Sequence, residues 1–215
     1  MAENTTKKIA VVAASGRVGS LVVREARDRG YDVTAIVREE CATPAQHTLV
    51  RDALALTPED LAGFDAVVDA IGGWTPETIP AITDVAIYLA DILAGTNTRL
   101  IVVGGAGSLF VNPEHTATVD QGTDFPEDWK PLSAAHGAAL ANLRQRANVK
   151  WTYVSPAADF QADGARTGVY TLAGEELALN AAGESTVSYA DYAIALVDLI
   201  ESGAHVGERV SVVSK

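Results

Sequence analysis

Near its start the chain runs through Ile9-Ala-Val-Val-Ala13, five apolar residues in a row, and turns at once through Ala14-Ser-Gly16-Arg-Val-Gly19. The residues that follow place Val18, Leu21, Val22 and Ala26 at helical spacing up to Arg29, and Gly30 closes the run. A buried strand, a glycine-bearing turn and a helix in immediate succession confine the chain to a few architectures, because the strand must be covered and the helix must return over the sheet. Two glycines three apart at the helix start leave room for a pyrophosphate against backbone N–H groups at the positive helix end. Glycines also occur there to pack helix on strand, and the position directly after a buried strand favours the phosphate reading.

The alternation continues. Val33–Val37 reads as a second strand and Thr48–Arg51 as a weaker third, with a short helix at Pro58–Leu61 before the apolar run Ala66–Ile71. Helix signals resume from Pro80 to Ala94, and Leu100–Val103 is the clearest strand. A Gly-, Pro- and acid-rich stretch from Gly104 to Pro131 follows, and a loop of that length inside a compact domain is usually functional or mobile. The helix from Pro131 to Arg146 leads into Trp151–Ser155, a strand broken by Pro156; Ser188-Tyr-Ala-Asp191 reads as a capping box for a helix to about Glu201, and Glu208–Val213 as a last strand. Strands separated by helices predict an α/β, doubly wound parallel sheet with helices on both faces, in one domain.

A chain of 215 residues can bury roughly 70% of the surface its unfolded form exposes. Its 16 Lys+Arg against 28 Asp+Glu, a net charge of −12, argue against broad binding to nucleic acid or anionic membranes. One or two arginines can still hold a phosphate, since charges more than about 8 Å apart are largely screened in physiological saline. Cys41, the single cysteine, excludes an internal disulfide and fits a reducing cytosol. His47, His115, His136 and His205 lack ligand spacing, so no metal site is expected. No apolar run approaches the roughly 18 residues of a membrane span, nor does the start resemble a secretory signal. A cytoplasmic location is the expectation.

Arg38 directly follows the second strand, where an acid usually meets the adenosine ribose of NAD and an arginine suits the 2′-phosphate of NADP. Arg17, inside the turn, reaches the same space. The plainer alternative is two solvated arginines, with Glu39 and Glu40 beside Arg38. NADPH is expected ahead of NADH.

Ala-Ala-Ser-Gly-Arg-Val-Gly (13–19), Val-Arg (37–38), Ala-Ile-Gly (70–72), Val-Val-Gly-Gly-Ala-Gly-Ser-Leu (102–109), Trp-Thr-Tyr-Val-Ser-Pro (151–156) and Ser-Tyr-Ala-Asp-Tyr-Ala (188–193) together resemble the atypical short-chain dehydrogenase/reductases. Within these the chain is similar to the NmrA-like and NADH-flavin-reductase-like proteins related to biliverdin reductase B. The resemblance implies an NAD(P)-binding Rossmann fold with a small C-terminal portion shaping a substrate pocket. It implies that Ser15, Gly16, Arg17 and Val18 contact the phosphates, that Arg38 meets the 2′-phosphate and that Asp52 hydrogen-bonds the adenine. It further places Ile71 and Gly72 along the adenosine side and Gly104, Gly105, Ser155 and Pro156 around the nicotinamide. Two departures stand out. Ala13 replaces the glycine that commonly opens the turn, harmless only if its φ stays negative, and no Tyr is followed by Lys four residues on, so the Tyr-x-x-x-Lys acid pair is absent.

Hydride reduction of a ketone creates an alkoxide that needs a proton donor, whereas a flavin or quinone delocalises the charge and collects its proton from water. The missing pair therefore disfavours alcohol dehydrogenase and sugar epimerase chemistry and permits reduction of a flat acceptor, where positioning supplies most of the rate. Trp74, Phe110, Phe125, Trp129 and Phe160 are the candidates for a stacking surface, or else local packing. Lys130 is placed to hold the nicotinamide ribose, as lysines do in related enzymes, and Ser108 to offer a hydroxyl to the substrate; a solvated lysine and a turn-closing serine are the alternatives. His136, in register with Leu132, Ala139 and Leu143, reads as a helix-face histidine with a local partner. The rival function is a dinucleotide sensor that binds the cofactor without turnover and reports to a protein partner, as NmrA-like proteins do.

Overall fold

The structure is a computed structural model and describes residues 6–215. Through its first part the elements run β1 (Lys8–Val12), α1 (Arg17–Asp28), β2 (Asp32–Val37), β3 (His47–Val50), β4 (Ala66–Asp69), α2 (Pro80–Ile92), β5 (Arg99–Val103), α3 (Lys130–Leu143) and β6 (Lys150–Pro156). Then come β7 (Asp159–Gln161), β8 (Tyr170–Ala173), β9 (Thr186–Ser188), α4 (Tyr189–Ser202) and β10 (Glu208–Ser214). The main sheet has the order β3-β2-β1-β4-β5-β6-β10-β8. Every neighbouring pair in it is parallel except β8 with β10. The chain works outward from β1 to β3 and returns to β4 on the other side of β1. That reversal opens a crevice beyond the carboxyl ends of β1 and β4, the place where open α/β sheets bind ligands.

Period-two alternation divides the sheet residues between two cores. Ile9 and Val11 of β1 pack with α1 and α4, while Ala10 and Val12 face the cluster that holds α2 and α3. On α1, Val22 and Ala26 are buried and Val18 and Leu21 half-buried, the face the apolar spacing predicts, and Val23 is buried as well. Arg99, at the amino end of β5, is buried without a carboxylate; it donates to the carbonyls of Leu199 and Ala204 and to Thr152 Oγ1, closing the carboxyl end of α4. Among the described residues no helix is long and apolar enough to cross a membrane.

Several expectations are corrected. Pro58–Leu61 forms turns, and the helical turn lies earlier, at Ala53–Ala55, capped by Asp52. The run Ala66–Ile71 leaves the sheet after Asp69. Pro156 ends β6 but still lies opposite Val212 of β10. β7, β8 and β9 were not foreseen; each has three or four residues of mixed exposure, too short for a period to register. The capping box at α4 is half made. Ser188 Oγ accepts from Asp191 N–H, but the Asp191 carboxylate accepts from Thr167 N–H, Thr167 Oγ1 and Gly168 N–H, tying the segment before β8 to the start of α4.

Ala13 departs most sharply. Its φ is +56°, the left-handed region, contrary to the negative φ under which its Cβ would cost nothing. An L-residue there costs about 1–2 kcal/mol. Ala13→Gly should therefore raise stability by up to about 1 kcal/mol after the extra unfolded-state entropy of glycine is subtracted, measurable as a melting temperature higher by about 2–4 °C.

Candidate functional site

The carboxyl ends of β1, β2, β4 and β5 gather most of the sequence-predicted residues around the crevice. Ser15, Gly16 and Arg17 are exposed, and Val18 is half-buried against the core on the α1 side. Gly16 is the N-cap of α1, makes no side-chain cap, and no acid stands in the first turn. Ser20 N–H reaches Gly16 O, while the N–H groups of Arg17, Val18 and Gly19 have no protein acceptor among the described residues. Three free donors at a positive helix end, with nothing anionic competing, fit the phosphate groups of a dinucleotide. The two glycines serve different ends. A Cβ on Gly19 would meet Ala13 O at 2.4 Å, so that glycine packs helix against turn, whereas one on Gly16 would meet only Ala13 O, at 3.1 Å.

Arg17 and Arg38 are exposed and form no ion pair or hydrogen bond through their side chains among the described residues; Glu39 and Glu40 do not engage Arg38. Asp52 is exposed and its Oδ1 accepts from Leu54 N–H at 2.9 Å, making it the turn-former considered as the alternative, with Oδ2 uncommitted. Ile71 is half-buried and Gly72 exposed. The Ile71 N–H donates to Asp69 Oδ1 at 3.1 Å, so Asp69 shapes the turn that carries both. Asp69 is 2% exposed. Burial pushes its carboxyl up to about 7, with the Ile71 hydrogen bond the one opposing influence among the described residues.

The residues expected around the nicotinamide are closely packed against their neighbours. Gly104 is buried, and a Cβ there would come within 2.3 Å of Tyr153 Cε1; on Gly105 it would come within 2.9 Å of His136 Cγ and Cδ2. The two glycines thus admit a buried tyrosine and a histidine. Ser155 is fully buried and its hydroxyl is sealed without a partner, and Pro156 is buried beside it, so neither side chain is open to a ligand. Ser108 Oγ accepts from Arg209 at 3.0 Å. Arg209, its side chain 1% exposed, also holds Ser108 O and the Glu175 carboxylate, which Arg144 grips with two 2.7 Å bonds. Ser108 is a clamped loop residue. Lys130 is exposed at the first turn of α3, with Nζ 2.5 Å from Glu127 Oε1.

The aromatic residues divide similarly. Phe110 stacks on His115 at 4.2 Å, and Phe160 packs between Tyr189 and Tyr192. Trp74, 72% exposed, and Trp129, with Phe125 edge-on to it, stay open. His136 lacks the local side-chain partner expected of it: its ring Nδ1 is buried without a hydrogen bond. Sequence reasoning passed over Asp69, Tyr153 and Arg209. Of these only Asp69 carried a visible signal, an acid inside an apolar strand.

A protein-family model described as NAD(P)H-binding matches residues 13–202. The protein YwnB of Bacillus subtilis (strain 168) is 39% identical over 210 residues, 97% of this chain and 99% of that protein. Among solved structures, SP1627 of Streptococcus pneumoniae TIGR4, described as a "putative NADH-flavin reductase", is 48% identical with a TM-score of 0.94, covering 97% of this chain and 100% of that one. A protein from Lactobacillus casei is 31% identical with a TM-score of 0.87, over 96% and 99% of the two chains.

Proposed function

The chain belongs to the NAD(P)H-binding protein family, and from that premise we propose that it is an oxidoreductase that uses NADPH in preference to NADH to reduce a flat conjugated acceptor such as a flavin or quinone. The observation that carries this reading is the bare amino end of α1 at the switch point of a Rossmann-like sheet, with Arg17 in its first turn and Arg38 directly after β2, both without a side-chain partner among the described residues. Likeness to SP1627 supports the acceptor class. When bound, the reduced dinucleotide supplies the hydride.

This chain's residues hold and orient. The N–H groups of Arg17, Val18 and Gly19 receive the pyrophosphate, Arg38 and Arg17 take the 2′-phosphate, and Asp52 Oδ2 meets the adenine. Ile71 and Gly72 border the adenosine side in the turn fixed by Asp69. With no Tyr-x-x-x-Lys pair in the chain, the site suits an acceptor that takes its proton from water.

Arg38→Ala should weaken NADPH by about ten- to a hundredfold, the worth of one charge-assisted hydrogen bond, and leave NADH nearly unchanged. Titration calorimetry with both cofactors measures it, and equal losses would remove Arg38 from the phosphate site. Sustained NADPH oxidation when riboflavin or menadione is added tests the reaction itself. Tight binding without turnover would favour a dinucleotide sensor.

A further inference from the structure

We propose that His136 is a catalytic residue whose imidazole donates a hydrogen bond to a ring carbonyl oxygen of the acceptor; this rests on the reductase reading above. The residue stands in the second turn of α3, and its ring lies against Gly105, just past the carboxyl end of β5. That contact is close enough that one added methyl on Gly105 would collide with Cγ and Cδ2. Its backbone is pinned as well. The buried Tyr153 hydroxyl donates to His136 O at 3.1 Å and accepts from Gly105 N–H at 3.1 Å, so one side chain fixes this turn of the helix relative to the strand end. An imidazole so held faces the end of the sheet where ligands bind.

The ring's two nitrogens differ. Nδ1 is sealed from solvent and has no partner; Nε2 also bonds no described residue but keeps access to solvent. Burial pushes the imidazole down to about 4, so it is neutral at physiological pH and carries one N–H. Placing that hydrogen on Nδ1 would leave an orphaned buried donor, rarer in folded proteins than an under-used acceptor. The hydrogen therefore sits on Nε2, the nitrogen a ligand can reach. A neutral, fixed N–H donor beside an oxygen that gains negative charge during reduction stabilises that charge with little reorganisation. Flavins and quinones both present such carbonyl oxygens, and Gly105, lacking a side chain, makes room for the ring beside the end of β5.

The test is riboflavin binding in the presence of NADP+, read by quenching of flavin fluorescence, for the native protein, His136→Phe and His136→Gln. The Phe variant should bind riboflavin about tenfold more weakly and the Gln variant, whose amide donates, should recover most of the loss. NADP+ affinity and circular dichroism should be the same in all three. Equal riboflavin affinity in the native and Phe proteins, including none in either, overturns the proposal. Imidazole nitrogen resonances of the native protein give a readout that needs no variant: His136 should be the Nε2–H tautomer and shift when riboflavin is added, and an unmoved signal overturns the proposal equally. Histidine-dependent riboflavin binding without NADPH oxidation would refute the reductase reading and leave the hydrogen bond standing. With turnover, kcat of the Phe variant should fall by about a hundredfold at unchanged KM for NADPH.

Discussion

Gly16→Val is expected to leave the protein folded and to cost at least about a hundredfold in NADPH affinity, the loss of two or more charge-assisted hydrogen bonds. Gly16 has φ −70° and ψ 167°, a conformation open to any residue, so valine meets no backbone strain there. Its Cβ would sit 3.1 Å from Ala13 O, a contact relieved by a few tenths of an ångström. The branched side chain would then stand over the free N–H groups of α1, where the pyrophosphate needs the space. Gly19 is the control. A Cβ there would be 2.4 Å from Ala13 O, against backbone, so Gly19→Val should lose the fold along with the cofactor. Circular dichroism and calorimetry on the two variants separate the effects, and undiminished binding by folded Gly16→Val would remove this turn from the cofactor site.

The second large effect is expected at Asp69. Its carboxyl sits at about 7 in the folded protein against 3.8 for the exposed group, because burial opposes the charge and the Ile71 N–H only partly offsets it. Between these values the folded state keeps a proton that the unfolded state has released, so stability falls as pH rises through the window and the full loss is reached above pH 7. Asp69→Asn keeps an acceptor for Ile71 N–H and never ionises. Its advantage over the native protein should be about 2 kcal/mol at pH 5.5 and grow to about 4 kcal/mol at pH 8. Urea unfolding of both proteins at the two pH values measures this. An advantage that did not grow with pH would mean that Asp69 ionises freely in the folded state.

The legible parts of the fold were those where local pattern and tertiary demand agree. Ile9–Val12 is apolar throughout because both faces of β1 are covered, and α1 repeats its apolar residues because one face meets the sheet. β7, β8 and β9 were illegible because three or four residues paired across more than ten others carry no periodic signal. Of the candidate site, the turn and Arg38 could be proposed from the sequence because they follow strands directly. The packing behind Gly104 and Gly105 could not, since Tyr153 and His136 meet them only through the sheet and α3. The clamp on Ser108 was illegible for the same reason: nothing near it in sequence announces Arg209, about a hundred residues on. Ala13 was the one position where a local rule pointed to strain, and its φ of +56° bears that strain out.

In the proposed reaction the bound dinucleotide passes its hydride to a flat acceptor. Anaerobic mixing of the protein with riboflavin and NADPH deuterated at the transferable C4 position tests it most directly. The expected result is bleaching of the flavin at the rate of NADPH oxidation, with one C4 hydrogen transferred stereospecifically and a slower reaction for the deuterated cofactor at that position. NADPH held at the site while riboflavin and menadione stay oxidised would contradict it.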